Sequence, residues 1–244
     1  MRINLLGVAV DNMKKEEALR YVQERLSQKR PTRIYTPNPV MIRTAEKHPA
    51  FRSVLNSADL NLPDGAGLLL AARLLSLPLS ERIAGIDFAE SLLALAQEKE
   101  YGIFLLGGRP GVAHTAATKL KRRFPNLRIC GVQHGYFKEK SAPTIASQIE
   151  RSGADILLVG LGAPRQEFWI ARHMPQGLSV AMGVGGSLDV WAGTVCRAPA
   201  FLSAIGLEWL WRMIMQPRRA KNLPLMAAFL LSAIAEKAKI QKPV

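Results

Sequence analysis

The chain has 244 residues, 48% of them hydrophobic and 21% charged. These values exclude a disordered or collagen-like polymer and fit one generous domain, or one domain with an appendage. Thirty-three Lys and Arg against nineteen Asp and Glu leave a net charge of +14, an excess that calls for nucleic acid, anionic lipid headgroups or a phosphorylated substrate as partner.

The first residues turn polar after Val10 and offer no small-residue cleavage site, so no secretory leader is expected. Ile3–Val10 reads as a strand or a paired extended segment, and Ala18, Leu19, Val22 and Leu26 give Lys14–Gln28 the spacing of an amphipathic helix. Arg33–Thr36 is expected as a short strand running into Pro37-Asn38-Pro39, followed by a helix over Val40–Asn56 and a strand at Leu60–Leu62 that ends at Pro63-Asp64-Gly65. A helix at Asp87–Glu98 precedes a strand at Gly102–Leu106; a glycine turn then leads into a helix through Arg123. Strand Leu127–Val132, helix Ala142–Arg151, strand Ile156–Gly160, helix Gln166–His173 and strand Leu178–Val184 complete the alternation. Strands and helices alternating at this spacing predict an α/β fold, a Rossmann-like, mainly parallel sheet flanked by helices. Functional groups should then collect at the carboxyl ends of the strands.

Composition shifts near Arg197, which divides an α/β core over 1–196 from an appendage over 197–244. The appendage carries eight basic residues against two acidic ones, with Trp209, Trp211, Met213, Ile214 and Met215 among them. That mixture suits a basic amphipathic helix docking on a membrane surface; the alternative is a terminal helix that packs its Trp face on the core. The run Leu223–Ile234, interrupted by Pro224 and Ser232, is too short to span a bilayer.

Several rim segments carry chemistry. Leu106-Gly107-Gly108-Arg109-Pro110-Gly111 is a strand-to-helix turn able to approach an anion, or a tight turn without ligand, and Gly183-Val184-Gly185-Gly186 has the same two readings. Asp64, one of six aspartates, stands in a glycine turn just past a strand end. It could bond its own backbone or act as general base toward a hydroxyl. Arg165 and Gln166 could reach a sugar or phosphate, with Glu167 capping the following helix. Prolines extend Thr36-Pro37-Asn38-Pro39 and could hold Thr36 and Asn38 in a fixed presentation; on local sequence alone a plain polar loop is the favoured reading. No Asp-x-Asp pair occurs and His48, His114, His134 and His173 lack ligand spacing, so no metal site is expected. Cys130 and Cys196 form neither a disulfide framework nor a metal knuckle and suit a reducing cytosol.

Taken in order, Gly7-Val8-x-Val10-Asp11, Thr36-x-Asn38-Pro39, Pro63-Asp64-Gly65-x-Gly67, Arg82-x-x-Gly85-x-Asp87, Leu106-Gly107-Gly108 and Gly135-Tyr136-Phe137 form a recognisable series. It continues with Val159-Gly160-Leu161-Gly162-x-Pro164-x-Gln166-Glu167, Gly183-Val184-Gly185-Gly186-x-x-Asp189, Arg197-Ala198-Pro199 and Gly206-Leu207-Glu208-Trp209-Leu210. The series resembles the WecG/TagA/CpsF glycosyltransferases from about residue 4 to residue 220. The resemblance implies a metal-independent, inverting transfer of an N-acetylmannosamine-type sugar from a UDP donor to undecaprenyl-diphosphate-linked N-acetylglucosamine, without cofactor. It matches Asp64 to the general base and Thr36, Asn38 and Gln166 to groups holding sugar and acceptor. Arg82 falls near the reaction centre. Gly107, Gly108, Tyr136, Gly185 and Asp189 are read as substrate-binding. In the appendage, Arg212 and Arg219 match arginines that would meet the diphosphate, Arg218 is also read as substrate-binding, and a third expected arginine falls at or near Asn222, with Lys221 beside it.

The expected partners are therefore the UDP-sugar, the lipid-linked acceptor and the inner face of the bacterial cytoplasmic membrane, in a teichoic-acid linkage pathway. A UDP-N-acetylmannosaminuronic acid or UDP-glucose transferase for another surface polysaccharide is the nearest alternative. A basic nucleic-acid-binding α/β protein would explain the charge but leave the rim loops idle, and no nucleic-acid motif is present. An oxidoreductase lacks its G-x-G-x-x-G. No segment reports an interface, so a homo-oligomer stays open.

Overall fold

A computed structural model describes residues 1–199, 202 and 206–240, apart from the side chains of Arg212, Arg218, Arg219 and Ile240. The chain opens with an antiparallel hairpin, β1 (Arg2–Leu5) and β2 (Val8–Asp11). Its turn residues Leu6 and Gly7 both have positive φ, 51° and 84°, as a tight two-residue hairpin turn requires. Of the two readings of Ile3–Val10, a strand or a paired extended segment, the structure has the second, as two paired strands.

Six further strands form one all-parallel sheet in the order β4-β3-β8-β7-β5-β6. They are β3 (Thr32–Tyr35), β4 (Leu60–Asn61), β5 (Ile103–Gly107), β6 (Ile129–Gln133), β7 (Ile156–Gly160) and β8 (Val180–Gly183). The two-residue spacing of strand side chains sorts the sheet into two cores. Ile34, Ile103, Leu105, Ile156, Leu158, Val180 and Met182 face one side. There they pack against α1 (Lys15–Ser27), α5 (Gly85–Glu98), α6 (Val112–Arg123) and the short α9 (Ser187–Trp191). Tyr35, Phe104, Leu106, Leu157, Val159 and Ala181 face the other. They meet α2 (Pro39–Lys47), α3 (Pro49–Asn56), α4 (Ala66–Leu74), α7 (Ala142–Arg151) and α8 (Arg165–His173). Burial on both faces explains why these strands are apolar without alternation.

The expected helix over Val40–Asn56 is two helices. Pro49 has no N–H to continue the first one, so α2 stops at an extended His48 and Pro49 starts α3. The sheet's edge strand β4 is braced by the hairpin. Asp11 accepts from the Asn61 backbone N–H at 2.7 Å, and Asn61 Nδ2 donates to the Ala9 carbonyl at 2.8 Å. This pairing covers an edge that would otherwise stay open, and it steadies the strand that leads into Asp64.

The tail forms α10 (Glu208–Met215), a 3-10 turn at Pro217–Asn222 and α11 (Leu223–Ile240). Phe229 and Ala233 of α11 are fully buried with Met41, Ile42, Ala45, Leu68 and Ala71 of α2 and α4. Burying such a phenylalanine stabilises the docked helix by about 2 kcal/mol. The outer side of the tail keeps Ile214, Leu223, Leu231 and Ile234 exposed. Among the described residues no helix is long and apolar enough to cross a membrane.

Candidate functional site

The last strand, β8, enters the middle of the sheet between β3 and β7. That placement brings the loops after β3, β4, β7 and β8 side by side at one rim. They enclose a cavity of about 460 Å³ lined by Thr36, Asn38, Asp64, Arg82, Gln166 and Gly185, residues from five separate stretches of sequence. The tail supplies the facing wall through Glu208, Trp209, Met213, Lys221, Asn222 and Met226.

Backbone bonds fix the core wall. The Leu62 N–H donates to Tyr35 at 2.9 Å, Asp64 to Pro37 at 3.0 Å, and Ile83 to Pro63 at 2.8 Å, locking three loops together. Asn38 caps α2: its Oδ1 accepts from the Met41 N–H at 3.1 Å, and Pro39 occupies the first helical position. A Cβ on Gly67 would lie 2.8 Å from Pro39 Cγ, and one on Gly85 would lie 3.0 Å from Thr36 Oγ1. Glycine at these two positions lets the first turn of α4 close on Pro39 at the start of α2 and the first turn of α5 close on Thr36. First-turn residues of α2, α4 and α5 all line the cavity, so three helix N-termini direct positive potential into it. Thr36, Asn38, Asp64 and Arg82 are half-buried, at once held and reachable.

Behind them, Gln166 is buried. Its Oε1 accepts from the Gly185 N–H at 3.0 Å and its Nε2 donates to Glu167 Oε1 at 2.7 Å. Glu167 does not serve chiefly as a helix cap. It is fully buried, its Oε2 has no hydrogen-bond partner among the described residues, and burial pushes its carboxyl up to about 7 against the bond from Gln166. Burial likewise raises the Tyr35 hydroxyl, which donates to the Glu167 carbonyl at 3.3 Å.

Core and tail are joined across the cavity by Arg82 and Glu208, 3.6 Å apart with both side chains largely buried. Glu208 stood in the sequence only as part of a motif, Trp209 as part of that motif and as an apolar group of the tail, and Met213 as an apolar group of the tail, none of them as a site residue; Met226 carried no signal. Their part in the site follows from where α10 and α11 pack.

The remaining expected residues lie elsewhere. Gly107 and Gly108 sit further along the rim. A Cβ on Gly107 would fall 2.3 Å from the Gly160 carbonyl oxygen. The Gly108 N–H donates to that oxygen at 3.1 Å and its carbonyl accepts from Gly135 at 2.8 Å, so this turn is engaged with its neighbours. Tyr136 is 66% exposed, and Asp189 lies in α9, where its backbone carbonyl accepts from Thr194. None of these four lines the cavity. The side chains of Arg212, Arg218 and Arg219 lie outside the described residues. Among the described residues no three His, Cys, Asp or Glu gather to hold a metal ion.

Comparison with known proteins gives a consistent result. Residues 3–243 match the family described as "Glycosyl transferase WecG/TagA/CpsF family". A Bacillus spizizenii protein is 37% identical over 221 residues, 89% of this chain and 84% of its own length. A Bacillus subtilis protein is 36% identical over 83% of this chain and 79% of its own length. A Staphylococcus aureus protein is 32% identical over 99% and 95%. All three are named N-acetylglucosaminyldiphosphoundecaprenol N-acetyl-beta-D-mannosaminyltransferase.

Proposed function

The chain belongs to the WecG/TagA/CpsF glycosyltransferase family, and from that premise we propose that it transfers N-acetylmannosamine from UDP to undecaprenyl-diphosphate-linked N-acetylglucosamine. The observation that carries this reading is the cavity itself: Asp64, Thr36, Asn38, Arg82 and Gln166 converge on one wall and the tail forms the other.

In this reading Asp64 accepts the proton of an acceptor hydroxyl as that oxygen attacks the anomeric carbon in line. The new glycosidic C–O bond forms while the bond to the donor's β-phosphate breaks, and UDP leaves with the electron pair. Configuration inverts in the single displacement. Thr36, Asn38 and Gln166 hold sugar and acceptor, and proximity of the two reactants supplies much of the acceleration. Charge growing on the diphosphate meets the N-termini of α2, α4 and α5, with Lys221 and Arg82 nearby, so the transfer proceeds without a divalent ion. Arg212, Arg218 and Arg219 add cations from the tail. The nucleotide extends along the rim past Gly185 toward Gly107, Gly108, Tyr136 and Asp189.

A lipid-linked acceptor requires the cavity to meet a bilayer. The exposed Leu210, Ile214, Met215, Leu223, Leu231 and Ile234 of the tail, interspersed with Lys and Arg, suit an interfacial surface on the inner leaflet. Each nearby cation is worth about 1 kcal/mol on anionic lipid. The test is a panel of UDP-sugars offered with vesicle-borne lipid-diphosphate-N-acetylglucosamine in excess chelator. Turnover with UDP-N-acetylmannosamine is expected. Turnover only with another UDP-sugar would reassign the donor, and dependence on added metal would overturn the mechanism.

A further inference from the structure

A buried carboxylic acid with an unpartnered oxygen is costly for a fold, and an apolar residue of similar volume commonly serves such a position at least as well. Glu167 is one, fully buried, with no partner for Oε2 among the described residues. Its other oxygen accepts from Gln166 Nε2 at 2.7 Å, while Gln166 Oε1 accepts from the Gly185 N–H at 3.0 Å. A side-chain amide has nearly the same shape in its two flipped orientations. Here one orientation is excluded, because a flip would point Gln166 N–H groups at the Gly185 N–H. Gly183 closes the arrangement from β8. A Cβ there would come 2.7 Å from Gln166 Nε2 and 3.3 Å from Glu167 Oε1.

We infer that Glu167 is a positioning residue that acts through Gln166, holding its amide so that the remaining N–H is presented to a sugar oxygen in the cavity. Glu167 touches no substrate itself; Gln166 lines the cavity. The inference rests on the reading above that Gln166 contacts substrate, but its structural half stands apart from the identity of that substrate.

Glu167→Met removes the acceptor at nearly constant volume. It is expected to lower kcat/KM for UDP-N-acetylmannosamine by about 10- to 100-fold, the range for losing one aligned hydrogen bond in a site. Glu167→Gln, which keeps an acceptor toward Gln166, is expected to recover most of that loss. In a Gln166→Ala background, Glu167→Met should cost nothing more, since residues acting as one unit are not additive. Gly183→Ala, which keeps the Glu167 carboxyl but crowds Gln166 Nε2 most closely, should imitate Glu167→Met by displacing the amide. The side-chain amide resonances of Gln166, read by 15N-edited NMR without any substrate, should move toward solvent-exchanging values in Glu167→Met and Gly183→Ala. If Glu167→Met does not fold, the Gln and Gly183 variants carry the same comparison. A folded Glu167→Met with an unaltered Gln166 resonance pair overturns the inference, whatever the substrate. So do losses in Glu167→Met and Gln166→Ala that simply multiply. Failure of every UDP-sugar to turn over would defeat the transferase reading and leave the resonance test standing.

Discussion

The two walls of the cavity are built on different terms. The core wall is polar, and its loops are tied by main-chain bonds between successive strand ends, so Asp64 is placed by the sheet. The tail wall is mixed, setting Trp209, Met213 and Met226 beside Glu208, Lys221 and Asn222, and meets the core wall through the Arg82–Glu208 pair. Further along the tail, α11 is anchored by Phe229 and Ala233 while Leu231 and Ile234 of the same helix face outward. One wall holds its polar groups at fixed distances, as the proton transfer and in-line displacement of the proposed function require. The other combines an inward surface lining the cavity with an outward apolar one at Leu231 and Ile234, and in the proposed function a bilayer acts on the site through it.

This contrast can be broken at either wall. The largest effect is expected from Asp64→Asn, which keeps shape but removes the base: kcat should fall by about 10²- to 10⁴-fold with the melting curve unchanged. Near-normal turnover would remove Asp64 from the mechanism. Next is the buried support of the core wall. Burial disfavours the charge of folded Glu167 and pushes its carboxyl from the ordinary 4.5 up to about 7. Between those values the folded chain keeps a proton that the unfolded chain has released, so stability falls as pH rises through this window, by up to about 3 kcal/mol. In denaturant melts across pH 4–8 the gap between wild type and Glu167→Gln should be steady near pH 4, where the acid is protonated folded and unfolded alike, and should shift against the wild type by about 3 kcal/mol as pH rises to 7. Parallel pH profiles for the two would refute the buried-acid account.

At the tail wall, Leu231→Asp and Ile234→Asp should each weaken binding to anionic vesicles by about tenfold, since withdrawing an apolar side chain from lipid costs about 1.5 kcal/mol. Turnover of a short, water-soluble acceptor should be spared. Equal loss on both acceptors would place the effect in the fold. These substitutions are better than removing 197–244 outright, because that deletion would uncover the α2–α4 face which Phe229 and Ala233 bury. The smallest effect is expected from Glu208→Gln. It weakens a single ion pair worth about 1 kcal/mol, lowering kcat/KM on vesicle-borne acceptor by about fivefold. In an Arg82→Gln background the same change should cost little.

Much of this was written in the sequence. Periodicity located the parallel strands and most helices, because a strand buried on both faces must be apolar throughout and an outer helix must keep a stripe. The order of short motifs indicated the family, and turn residues after strands nominated Asp64, Thr36, Asn38 and Gln166. Local pattern failed where its signal was ambiguous. Ala66–Leu74 is apolar on nearly every side and begins among glycines, so it gave no helical stripe. The five residues of α9 were too few to show a period. The hairpin's turn could not be located within Ile3–Val10 because Leu6, in place of the usual Asn or Asp, takes positive φ beside Gly7.

Other features depended on the folded arrangement. Nothing in the chain order says that β8 inserts between β3 and β7, yet that insertion unites residues 36, 64 and 166 in one cavity and leaves Gly107, Gly108 and Tyr136 beyond its walls. Glu167 looked like a helix cap until burial and the Gln166 amide gave it another environment. The tail's facing of the site, and its division into anchored and exposed sides, follow from packing of α11 on α2 and α4. Sequence determines which surfaces are apolar and which groups can react. Which of them meet is decided by contacts between segments far apart in the chain, and their free energy exists only once the whole sheet is assembled.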